Sequence, residues 1–104
     1  MNLSFDISKI EGFEWDRGNL EHIKKHNVSK EECEEAFLNN QPEVTEDETH
    51  SQIEERYRVL GLTDYGRLLF MIVTIRDSKI RVISARDQNK KERKGFKKTG
   101  GEKV

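Results

Sequence analysis

Arg76, Arg81, Arg86 and Arg93 recur through the second half of the chain, and Arg56 stands at the head of the same region. A guanidinium keeps its charge at any physiological pH and presents a fork of N–H donors that matches phosphate oxygens, so these residues offer grip on a phosphate ester. Lys25 and His26 add a second kind of cation and an imidazole, whose charge changes near neutrality. Glu54 and Glu55 precede Arg56, where a carboxylate can act as a base or orient an arginine. His22 and His26 have the four-residue spacing that places two imidazoles on one helical face, and with His50 they would begin a zinc site. No cysteine cluster or HExxH pattern supplies the remaining ligands, so neither metal nor other cofactor is expected. Cys33 sits among Glu31, Glu32, Glu34 and Glu35, where no basic neighbour lowers a thiol pKa, and it reads as a small core residue. Trp15 reads as a core anchor, with a base-stacking platform as the alternative.

The net charge of minus one conceals a strong segregation. Residues 1–29 are nearly balanced, residues 30–55 carry ten acids against Lys30 alone, and residues 56–104 carry fourteen Lys or Arg against five acids. Basic residues gathered on one side attract phosphate whatever the charge elsewhere. The alternative is an acidic helix that neutralises a basic sheet.

Of the 104 residues 38% are charged, well above the usual quarter or so, yet Leu, Ile, Val and Phe make up 26, enough for one small core. The longest unbroken apolar run, Leu68 to Val73, is far too short to span a bilayer. Met1 to Ile10 lacks the basic start and apolar stretch of a secretory signal, and the single cysteine has no internal partner for a disulfide; a reducing cytoplasm is the expected location.

The residues that could do this chemistry need elements to hold them. Residues 13–39 read as a short strand and two helices. Asp16 suits the first helix's N-cap, above an apolar face of Leu20 and Ile23, and Asn27 suits a left-handed helix end. Ser29 and Glu32 have capping-box spacing, with Val28 and Cys33 as a hydrophobic staple. Beyond Pro42 the period becomes strand-like. Arg56 to Leu62, Leu68 to Arg76 and Ile80 to Arg86 read as three antiparallel strands joined by turns at residues 63–66 and 77–79, with Val44 in a possible fourth. Asn89 and Glu92 repeat the capping geometry before a basic helix from about Lys90 to Lys98. Phe5 and Ile7 alternate as in an extra strand, and residues 99–104 are expected to fray. The sum is one α+β domain over residues 1–104: a small antiparallel sheet with two N-terminal helices and a C-terminal helix, the helices on one sheet face.

In order along the chain, FEWD (13–16), IKKHNVSKEECEEAF (23–37), ERY (55–57), RVLG (58–61), GRLLF (66–70), and RVISARD with KKER (81–93) resemble the BrnT toxins of bacterial type II toxin–antitoxin systems. The likeness covers roughly residues 12–96, after an N-terminal extension of residues 1–11. It implies a RelE-like and ParE-like fold and a ribonuclease activity that halts translation. It also implies a BrnA-like antitoxin partner with a ribbon-helix-helix DNA-binding domain, so that operator DNA is met only through the antitoxin. Asn27 stands where glycine is common in the family, a harmless change at a left-handed cap. Phe96 stands where tyrosine is frequent, and a phenyl ring cannot donate a hydrogen bond or move a proton.

RNA is cut without metal when the 2′-hydroxyl loses its proton, cations stabilise the crowded phosphate and an acid protonates the leaving oxygen. With the resemblance, His26 is the expected acid or base and Arg56, Arg76 and Arg86 the expected phosphate clamp. Lys25, Arg81, Lys90 and Arg93 are expected to hold the rest of the RNA. For His26 the alternative is a cation suited to a helix C-terminus; for Arg86 it is an ion pair with Asp87 or the acidic helix. For the whole chain the alternatives are a noncatalytic module that binds RNA or antitoxin, which Phe96 favours, and a purely structural interaction subunit.

Overall fold

The computed structural model describes residues 7–39, 41–47 and 54–96. After one 3-10 turn at Ile7–Lys9, the elements are β1 (Gly12–Phe13), α1 (Arg17–Lys24), α2 (Lys30–Leu38), β2 (Glu43–Glu46), β3 (Arg56–Leu62), β4 (Leu68–Arg76), β5 (Lys79–Asp87) and α3 (Lys90–Phe96). Ile7 thus belongs to a turn rather than a strand, while Phe5, His50 and residues 97–104 lie outside the described residues.

Capping residues set the helix starts. The Asp16 carboxylate accepts from the Asn19 amide, and the Asn19 side chain accepts from the Asp16 amide. Ser29 and Glu32 do the same for α2, and Asn89 and Glu92 for α3. Asn27 turns the chain between α1 and α2 at φ 57°. Asp77 and Ser78, both at positive φ, make the tight turn from β4 to β5, as a two-residue hairpin whose twist suits the strands requires.

The sheet order is β1-β5-β4-β3-β2, with β4 at its centre. Strands β2 to β5 are antiparallel, but β1 pairs parallel to β5, Gly12 opposite Lys79 and Phe13 opposite Ile80. The sheet is therefore mixed, a correction to the all-antiparallel expectation. Hairpin logic finds neighbours in sequence, and this pairing joins residues more than sixty positions apart.

One face of the sheet carries Tyr57, Val59, Leu69, Met71, Val73, Ile80, Val82 and Ala85, all buried with Ile23, Val28, Cys33, Ala36 and Phe37 of the α1–α2 region. Burial pushes the Cys33 thiol up to about 12, so it is inert packing. Trp15 is also an anchor: it stacks on Phe13, and its indole N–H donates to Glu34 Oε2 at 2.9 Å. Leu20, expected inward, is 36% exposed. Gly61 admits α2 at close range, for a Cβ there would stand 2.3 Å from the Ala36 carbonyl oxygen. Gly61→Ala is expected to cost about 2–3 kcal/mol by forcing helix and sheet apart, which thermal unfolding would register as a fall of about 10 °C or more.

Among the described residues the opposite face is the less covered one. Strand alternation sends Arg56, Arg58 and Leu60 of β3, Phe70, Ile72, Thr74 and Arg76 of β4, and Arg81 of β5 to it. Arg86 reaches the same face through a bulge. Ile72 pairs with Ser84 and Val73 with Val82, leaving Ile83 unpaired; beyond it the phase reverses, so Ala85 turns inward and Arg86 outward. Not all helices share one face: Glu92 of α3 meets Arg86 on the open side, away from α1 and α2.

Candidate functional site

The arginines of the open face fall into two groups. In the first, Arg56, Thr74 and Arg81 form one cross-strand row, with Arg76 two residues further along β4. The start of α1 borders β5 here, and together they enclose a depression of about 270 Å³ lined by Gly18, Asn19, His22, Glu54, Arg56, Arg76 and Arg81. Carboxylates set the arginines. Arg81 Nη1 donates to Asp16 Oδ2 at 2.8 Å and lies 3.9 Å from Glu14. Arg76 Nη2 donates to Glu54 Oε1 at 3.2 Å. Asp16 thus caps α1 and aims Arg81 at once, tying helix position to guanidinium position. Thr74 Oγ1 donates to the Glu55 carbonyl at 2.8 Å, which fastens the chain entering β3.

In the second group, Arg86 grips Glu92 with two bonds of 2.9 and 3.0 Å and lies 4.0 Å over the Phe70 ring centroid. Its row contains Leu60 and Phe70. Phe70 and Thr74 are four residues apart on β4, so the two rows are separated by about 13 Å. Arg86 is on the expected face but outside the first depression.

His26 is elsewhere. Helix α1 ends at Lys24 with Lys25 as its C-cap, so His26 lies in the following turn and the one-face geometry of a four-residue repeat does not reach it. Its carbonyl accepts from Arg67 Nη2 at 3.2 Å, and its charge is felt by Asp87, at the far end of β4 and β5 from Arg76. His22, one turn earlier on α1, is the imidazole at the arginine depression. Of the residues expected to hold RNA, Arg81 lines that depression, whereas Lys25 is exposed at the end of α1. Lys90 is exposed on α3, and Arg93 donates to the Gln88 carbonyl at 2.7 Å. Phe96 is buried and does not line the depression. No three His, Cys, Asp or Glu gather as a metal site, and no helix is long and apolar enough to cross a membrane, among the described residues.

Arg67 was invisible as a hub from sequence. Its Nε donates to Asp87 at 2.7 Å, while Nη1 donates to the Asn27 carbonyl at 2.8 Å and to Glu32 at 3.0 Å. It ties the α1–α2 turn to the end of β5. Three carboxyls are held below their ordinary values chiefly by arginine hydrogen bonds: Asp16 by Arg81, Asp87 by Arg67 and Glu92 by Arg86. The folded chain therefore takes up these protons less readily than the unfolded one. Their contribution is complete above the ordinary values of 3.8 and 4.5 and is lost as pH falls through the depressed ones. The melting temperature is expected to hold from neutrality to about pH 5 and to decline gradually below about pH 4, since these pairs are largely solvent-exposed.

Residues 15–92 match the model of a family described as ribonuclease toxin, BrnT, of type II toxin–antitoxin systems. No curated protein matches the chain.

Proposed function

Because the chain belongs to the BrnT family of ribonuclease toxins of type II toxin–antitoxin systems, we propose that the arginine depression on its open sheet face is where RNA is cut. The convergence of Arg56, Arg76 and Arg81 with His22 and Glu54 supports this reading. The guanidinium groups seat the phosphate and stabilise the charge that builds on it. His22 serves as the base and then the acid, the role that the resemblance implies for His26, and Glu54 orients Arg76. His22 takes the proton of the 2′-hydroxyl as its oxygen bonds to phosphorus, the bond from phosphorus to the 5′-oxygen breaks, and the protonated imidazole returns that proton to the departing 5′-oxygen, leaving a 2′,3′-cyclic phosphate. Side chains serve every step, so cleavage is metal-independent. Arg86, with Lys90 and Arg93 on the helix α3 that it clasps, extends the basic track for the RNA strand; Lys25 lies at the end of α1.

The finer features follow the same reading. Two helices on a sheet whose strands β2 to β5 are antiparallel suit a RelE-like fold, and cutting RNA in the cytoplasm halts translation. The partner is a BrnA-like ribbon-helix-helix antitoxin, which alone contacts operator DNA and covers the arginine face with an acidic or amphipathic segment. The test is incubation of the purified chain with single-stranded RNA in excess EDTA. Fragments ending in 2′,3′-cyclic phosphate are expected, and antitoxin protection should weaken as salt rises. Intact RNA would overturn the catalytic reading; an antitoxin footprint confined to α2 would overturn the assigned interface.

A further inference from the structure

A second concavity, of about 220 Å³, opens on the same sheet face and is lined by Glu43, Thr45, Arg58, Leu60, Phe70 and Glu92. Leu60 and Phe70 are cross-strand neighbours and give it an apolar floor. Glu43 stands opposite Leu60 and Thr45 opposite Arg58, so hydrogen-bonding groups of both signs edge that floor. The wall on the α3 side is braced: Glu92 is held by both terminal nitrogens of Arg86, whose guanidinium covers Phe70, and by the Asn89 amide.

An apolar floor that includes an aromatic ring, with polar edges, suits a planar ligand that stacks on its faces and hydrogen-bonds at its rim, which is how single-stranded nucleobases are held. The rim also discriminates among bases. Guanine carries two adjacent N–H donors on one edge and two acceptors, O6 and N7, on another, matching a carboxylate and a guanidinium together. No other base offers both pairs.

We propose that this concavity is a guanine-selective subsite for the RNA strand whose phosphate sits at Arg56, Arg76 and Arg81, an inference that rests on the ribonuclease reading above. Glu43 accepts from the guanine N–H edge, Arg58 donates to O6 and N7, and the base lies on Leu60 and the Phe70–Arg86 stack. The separation of about 13 Å along β4 lets one strand reach both places, so the base that is read is not the one at the broken bond.

The test is binding of uridine pentanucleotides with 2′-fluoro ribose, which lacks the attacking hydroxyl, each carrying one guanosine or one adenosine at a chosen position. At one position guanosine is expected to bind about five- to a hundredfold more tightly than adenosine or uridine. Glu43→Gln should bring the three bases within about twofold, and Phe70→Leu, which keeps an apolar side chain in the sheet, should weaken all three at that position. Equal binding by the parent chain, or a preference that survives Glu43→Gln, overturns the subsite. Cleavage of unmodified RNA without any base preference would refute the subsite alone. A guanosine preference in a chain that leaves unmodified RNA intact would refute the ribonuclease reading alone.

Discussion

Arg56→Ala and Arg76→Ala are each expected to slow RNA cleavage by about 100- to 1000-fold while leaving the fold intact. Both side chains extend from strands onto the open face, and neither belongs to the core cluster, so their loss removes charge at the depression without opening a cavity. The effect should fall mainly on kcat, because the phosphate gains its extra negative charge only on the way to the transition state. Arg→Lys at either position should recover part of the rate, since a lysine supplies charge but not a paired fork. Arg86→Ala should behave differently. That guanidinium lies outside the depression and clasps Glu92 of α3 over Phe70, so its loss should loosen α3 and weaken RNA binding more than the chemical step. Single-turnover cleavage with unfolding curves for each variant would separate the two groups; an Arg86→Ala defect as deep as that of Arg56→Ala would merge them.

The second large effect concerns the imidazoles. His22→Ala is expected to lose about 100- to 10,000-fold in cleavage rate, with part restored by added imidazole, whereas His26→Ala should cut RNA at close to the parent rate. His22 borders the arginine depression, and His26 lies in the turn held by Arg67. The reverse ranking would move the proton-transfer step to the α1–α2 turn, next to Lys25, and away from every arginine of the open face.

The contrast between these two histidines shows what local reasoning reaches. Capping motifs at Asp16, Ser29 and Asn89, the left-handed Asn27 and the bounds of β3 and β4 are short-range facts, and each is present as the residue types require. Whether His22 and His26 share a helix face depends on where α1 stops. A four-residue repeat shares a face only while the helix lasts, and α1 ends at Lys24. The split of the arginines was hidden for another reason. Arg81 and Arg86 are five apart and would face opposite sides of a regular strand; the bulge at Ile83 restores them to one face, and nothing in RVISARD announces it. Non-local partners were hidden as well: the parallel β1–β5 pairing, the Arg67 hub and the Arg86–Glu92 clasp join residues whose meeting only the folded chain decides.

The most direct test is to map backbone amide shifts of the labelled chain by NMR while a 2′-fluoro oligonucleotide is added. A phosphate seated at the open face should perturb the amides around His22, Arg56, Arg76 and Arg81, and leave those of Lys25, His26 and Asn27 nearly still. Shifts concentrated on the α1–α2 turn or on the acidic helix α2, with the open face silent, would contradict the assignment.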